Sequence, residues 1–259
     1  MLSRILKGTQ MNYTQDQNPY QTNFAPDVQT AALADEWERT TFIRRTYSHL
    51  LGGIGFFVLL ETLIFTMVSE AALDNLMRTM MGGRWNWLLV LGAFMVVSWI
   101  ARSWAESTAS QSLQYLGLGA YVLAEAVIFV PLLYIAQKVA PGAIPAAGIM
   151  TAVVFTGLTA IVFTTRADFS WMGKYLALAG IAAMGLIVCG VFFQGLPLGM
   201  WFSGAMVVLA AGYILYDTSN ILHRYRTDQY VAASLALFAS VAILFWYVLR
   251  IMISLSSRD

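Results

Sequence analysis

The chain has 259 residues, 59% of them hydrophobic and 11% charged, with a mean hydropathy of +0.66, a balance that excludes a water-soluble domain. At about 20 residues per crossing of roughly 30 Å of hydrocarbon, this length holds seven helices and a tail, with no room for a sizeable soluble domain. A formal charge of +1 gives no footprint for nucleic acid, and the single cysteine, Cys189, excludes an internal disulfide framework and a clustered-cysteine metal site.

Residues 1–45 are polar, rich in Asn and Gln over MNYTQDQNPYQTNF, and lack the apolar core of a cleaved signal peptide. They are expected to form a largely disordered tail, ending in a short amphipathic lead-in, AALADEWERTTFIRR. Residues 46–259 then form the membrane domain, with apolar windows at about 47–68, 85–104, 113–136, 144–164, 174–193, 198–219 and 230–255. Unpaired backbone in lipid is costly, so the windows read as helices: an all-α polytopic bundle of seven spans. The breaks MMGGRW, AESTASQS, KVAPGAIP, TTRADFS, FQGLPLG and HRYRTDQ carry the Gly, Pro and charge of water-exposed turns. Trp85, Trp87, Trp99 and Trp104 bracket the second span, and small residues in ALAGIAAMG and AMVVLAAG allow close helix approach.

Ten basic residues fall on the side of the N-terminus: Arg4, Lys7, Arg39, Arg44, Arg45, Arg102, Arg166, Lys174, Arg224 and Arg226. Four fall on the other: Arg78, Arg84, Lys138 and Arg258. The excess predicts a cytoplasmic N-terminus.

Ionisable groups within the spans carry the functional information. Glu61 lies in the first span, Glu125 in the third, Asp217 near the end of the sixth and Arg250 in the seventh, with Arg102 near the end of the second. An acid at the bilayer centre costs roughly 2.5 to 3.5 kcal/mol, so these side chains are expected to face the bundle interior. Each acid there is protonated, paired with an arginine or bathed by a water-filled cavity. At 100° per residue, Asn220 and Arg224 fall within about 60° and 20° of the direction of Asp217, which makes one polar stripe. Asp217 then reads either as a satisfied helix end or as a proton-sensitive latch, and Glu61 and Glu125 either as gate residues or as acids that tie two helices together.

Three passages resemble the transmembrane Bax inhibitor motif family, which includes Bax inhibitor-1 and its bacterial relatives. TAVVFTGLTAIVFTTRADFSWMGKYL is similar to the family's fourth span and its junction with the fifth, and YILYDTSNILHRY to its sixth-span aspartate motif. YVLAEAVIFVPLLYIA is similar to its third span, with Val130 and Pro131 in place of the usual Gly-Pro pair. The resemblance implies a bundle in which the seventh helix is surrounded by the other six. It also implies a pH-sensitive calcium leak, latched by two aspartates that share a proton, with an arginine of the second helix nearby. Asp217 matches the first aspartate, and Ser240 stands where the second would be.

A pair of acids titrates as a unit, and a lone Asp217 beside a serine does not. Either Glu125 or Glu61 supplies the missing carboxylate, or Arg102 holds Asp217 as an ion pair, or the leak is absent. Some relatives without the second aspartate modulate a membrane-embedded protease, so a non-transporting regulator that binds such a protease or cell-death and stress partners is the rival function. Calcium ions or protons are accordingly the species expected to be carried or sensed, no cofactor is implied, and a bacterial inner membrane is the expected location.

Enzyme chemistry finds no support in the sequence. No Gly-x-Gly-Asp follows Asp217 to complete an aspartyl dyad, no Gly-x-Ser-x-Gly or His-Glu-x-x-His occurs, and no lysine follows Lys174 to form a retinal Schiff base.

Overall fold

The computed structural model describes residues 29–107, 110–193 and 199–256, and the architecture among them is all-helical. α1 runs over Glu36–Met67, its first turn capped by the Asp35 carboxylate, which accepts the Glu38 N–H at 2.8 Å. Residues 36–45 of the lead-in are therefore the first turns of the first spanning helix, and residues 31–35 form the turn before it. Residues 29–31 are also held: Ala31 N–H donates to the Tyr225 carbonyl at 2.9 Å, Thr227 N–H donates to the Gln29 carbonyl at 3.2 Å, and Ala31 is fully buried. The expected tail boundary at 45 thus moves back to at least residue 29, because backbone partners distant in sequence order a segment that its own polarity marks as loose. Residues 1–28 of that expected tail lie outside the described residues.

α2, Glu70–Met81, is an element that a search for apolar windows does not show. With twelve residues it is too short to span, but Ser69 caps it and it buries Leu73 and Met80. The remaining helices are α3 (Arg84–Ala105), α4 (Gln111–Val139), α5 (Ala143–Thr165), α6 (Gly173–Phe192, entered through a 3-10 turn at Ser170–Met172), α7 (Met200–His223) and α8 (Tyr230–Ser256). All except α2 are long and apolar enough to cross a membrane, which gives the seven spans read from the sequence. α4 runs unbroken through Pro131, a substitution of backbone chemistry that membrane helices tolerate when neighbours pack the freed carbonyl.

Burial ranks the helices. In the span of α8, 72% of the most apolar window is buried within the protein, against 67% for α4, 50% for α7 and 11% for α6. α8 is therefore the axis. α1, α3, α4, α5 and α7 pack along it, whereas α6 lies outboard against α7. α8 is thus the surrounded seventh span that the resemblance implies, with α6 the outermost of the helices about it. Close packing follows from missing side-chain volume at Gly117, where an added Cβ would sit 2.5 Å from the Ala101 carbonyl oxygen, so α3 and α4 cross backbone to backbone.

Candidate functional site

Asp217 sits six residues inside the end of α7, which continues to His223, and is 8% exposed. On α8 the run Ala239–Ser240–Val241–Ala242 presents small side chains, so the two helices approach closely. The Ser240 hydroxyl uses that proximity to donate to Asp217 Oδ2 at 2.6 Å, a short O–H···O bond. Both groups are buried, and Thr218 beside them is fully buried too. Asn220 Oδ1 has no hydrogen-bond partner, which leaves a further oxygen at this level of α7 without a donor, whereas the Thr218 hydroxyl faces Tyr47 of α1.

Arg102 enters from α3. Its Nη2 donates to the Tyr121 hydroxyl of α4 at 3.5 Å, and its guanidinium carbon lies 5.3 Å from the centre of that ring. The field of Arg102 acts on Asp217 and on Glu125, one turn beyond Tyr121, but neither acid makes an ion pair with it among the described contacts. Asp217 is therefore neither paired to a second acid nor locked to Arg102. The side chain directly against it is the one that the sequence alignment placed at the position of the missing aspartate.

The other expected members separate from this centre. Glu125 is 5% exposed and shares the neighbourhood of Tyr121 and Arg102. Glu61, 7% exposed, lies on α1 in the wall of a different feature, an apolar groove, and neither of its oxygens has a partner. Asn220 is buried beside Asp217, and its backbone carbonyl accepts the Arg224 and Tyr225 N–H groups that end the helix. The polar stripe stops there. Arg224 has left helical geometry, and its Nη2 donates to the Ser170 hydroxyl at 2.7 Å, because the 100° progression no longer applies past the end of α7.

Sequence reasoning missed Ser219. It is fully buried, and its hydroxyl oxygen accepts the Phe169 N–H at 2.8 Å, tying α7 to the turn before α6. Asp168 in that turn is held below the usual carboxylate range, chiefly by hydrogen bonds from Ser170. The signal was present in the motif YDTSN, where a serine follows the acid by two positions, but only the backbone of the turn at Phe169 assigns it a role. Among the described residues no three His, Cys, Asp or Glu side chains converge.

Comparison with known proteins agrees with this layout. The family model described as inhibitor of apoptosis-promoting Bax1 matches residues 39–258. The chain is 36% identical over 110 residues to Bax inhibitor 1 of Schizosaccharomyces pombe, a stretch that covers 41% of this chain and 40% of that one. It is 28% identical over 188 residues to an uncharacterized protein of Neisseria meningitidis, covering 69% and 78%. To the modulator of FtsH protease YccA of Escherichia coli it is 36% identical over 110 residues, covering 42% and 49%. The matches to Bax inhibitor 1 and YccA thus span less than half of those proteins. With seven spanning helices around a buried aspartate and a family match over nearly all of the described residues, the chain belongs to the Bax inhibitor family of multi-pass membrane proteins.

Proposed function

We propose that the protein is a pH-sensitive calcium leak of a bacterial inner membrane, oriented with its N-terminus in the cytoplasm, non-enzymatic, and gated by protonation of Asp217. The observation that carries this reading is the buried hydrogen bond from Ser240 to Asp217, with the unpartnered Asn220 oxygen one turn further along α7. Calcium takes hard oxygen ligands, and a carboxylate, a hydroxyl and an amide carbonyl are that kind of donor.

Two effects of protonation compete. A proton on Asp217 weakens the bond from Ser240 by removing its charge assistance, worth about 1 kcal/mol, and so loosens the contact between α7 and α8. It also removes the negative charge that draws the cation, and a divalent ion 4 Å from a carboxylate gains roughly 8 kcal/mol at an effective dielectric constant of 20. The second effect is larger. Flux therefore falls on acidification, with the slope of one proton and not of a coupled pair.

Purified full-length protein in calcium-dye-loaded liposomes tests the proposal across about pH 5 to 8. Flux that declines with acid in the wild type and loses its pH dependence in Asp217→Asn supports it. An unchanged profile in Asp217→Asn removes this residue from the gate.

The likeness to YccA favours a second reading, in which the chain carries no ion and instead binds and modulates a membrane-embedded protease. Absence of flux at every pH, together with co-purification of such a protease, supports that reading against the first.

A further inference from the structure

A groove of about 810 Å³ runs between α1 and α5, floored by α4 and α8. Its volume falls within the roughly 300–1,000 Å³ of small-molecule sites. Both α1 and α5 pack on α8 but make no extended contact with each other, which leaves the groove open along its side. Leu51 and Val58 on its rim are 68% and 54% exposed, and these positions lie within a spanning helix, so the opening faces hydrocarbon. Occupants reach it from the bilayer and not from water.

Its walls are apolar, with Phe129, Phe155 and Phe245 among them, and no lysine, arginine or histidine lines it. Against that surface stand the two unpartnered oxygens of Glu61 and the unpartnered hydroxyl of Thr151, which is 4% exposed. A buried carboxyl with no partner on its own chain calls for a donor from elsewhere. Neutral donors suit it best, because a cation brought into this wall would add a second charge to be desolvated.

Dimensions select the kind of molecule. Along α1 the lining extends from Tyr47 to Thr66, about 28 Å at 1.5 Å per residue, which is close to the thickness of the hydrocarbon core. A helix 10 Å across needs on the order of 2,000 Å³ over that length, beyond the range of small-molecule sites into which this groove falls. An extended acyl chain is the occupant of matching shape. Glu61 lies six residues before the end of α1 at Met67, about 9 Å down the axis, a depth suited to a group just beneath the headgroups.

We propose that this groove seats an acyl chain of a neutral membrane lipid whose free glycerol hydroxyl hydrogen-bonds to Glu61. The site is separate from the contact between Asp217 and Ser240 and does not depend on ion conduction.

Native mass spectrometry of the full-length protein in detergent, with added diacylglycerol or its acetylated counterpart lacking the hydroxyl, tests the proposal. Wild-type protein is expected to retain diacylglycerol about 10-fold better than the acetylated lipid, the ratio of one net hydrogen bond. Glu61→Leu is expected to abolish that preference, and Glu61→Gln, which keeps hydrogen-bonding capacity, to preserve most of it. At Gly148 an added Cβ meets nothing within 4 Å, so Gly148→Trp is expected to fill the groove and exclude both lipids. Equal retention of the two lipids by the wild type overturns the proposal, a result that requires no variant to fold. So does stronger retention of phosphatidylethanolamine than of diacylglycerol, or unchanged selectivity in Glu61→Leu.

Discussion

Ser240 of α8 donates its hydroxyl to the Asp217 carboxylate of α7 across 2.6 Å, and both side chains are buried. Removing the donor leaves a carboxylate oxygen without that partner in a protein interior. Ser240→Ala is therefore expected to destabilise the protein by about 1.5 to 3 kcal/mol, the range for hydrogen bonds to charged groups. Thermal unfolding of the detergent-solubilised protein measures it, and an unchanged midpoint would mean that the hydroxyl is dispensable.

Ser240→Asp restores two acids to one site. Like charges a few ångströms apart raise each other's proton affinity, and their titrations merge into steps that belong to the pair. The pH profile of calcium flux is expected to shift toward higher pH than in the wild type and to depart from a one-proton curve. A profile that superimposes on the wild type would show that the two side chains do not communicate.

Gly117 tests whether α3 holds Arg102 in place by backbone contact. A Cβ there would lie 2.6 Å from the Ala105 amide nitrogen as well as against the Ala101 carbonyl, and neither backbone atom can yield cheaply. Gly117→Leu is expected to cost about 1 to 3 kcal/mol and to push α3 away, breaking the contact between Arg102 and Tyr121 one turn further along α4. Loss of crosslinking between cysteines introduced on α3 and α4 reports the separation; full crosslinking with unchanged stability would contradict it.

Asp74 makes α2 sensitive to acid. The Tyr134 hydroxyl donates to Asp74 Oδ1, and Lys138 lies 3.6 Å from that oxygen and 3.0 Å from Glu70, so α2 is fastened to the last turns of α4. The hydrogen bond from Tyr134, then the charge of Lys138, holds the Asp74 carboxyl below its ordinary value of 3.8. A lowered folded-state value stabilises docking at all pH above the unfolded value and loses that contribution as pH falls through the folded one. Amide exchange in α2 is expected to be flat from about pH 5 to 8, once corrected for intrinsic rates, and to accelerate below about pH 4. Asp74→Ala is expected to show the faster exchange already at neutral pH.

The seven spans were legible because lipid imposes a long, apolar signature on each, and Asp217 was legible because a charge stands out against that background. α2 left no such trace: a helix lying beside the bundle needs only Leu73 and Met80 on one face, which a search for unbroken apolarity passes over. Ser240 was found through its alignment position, whereas its contact with Asp217 is a property of two helices and is written in neither alone. Arg224 shows the reverse error. Helical spacing placed it beneath Asp217, but spacing holds only while the helix does, and the chain turns toward Ser170 first. Ser219 and the ordered residues 29–31 depend on backbone groups far away in sequence, which no local pattern encodes.

The axial position of α8 bears on how the protein is made. Ribosomes deliver helices in chain order, at roughly 5 to 20 residues per second, so the helix that lies along the axis emerges after all of its neighbours. Until then α1, α4 and α7 border an unfilled slot, and Asp217 awaits the hydroxyl that it will accept. Packing of these helices therefore waits for a keystone, and nascent chains stalled before Tyr230 would present a polar, half-walled bundle to the insertion machinery.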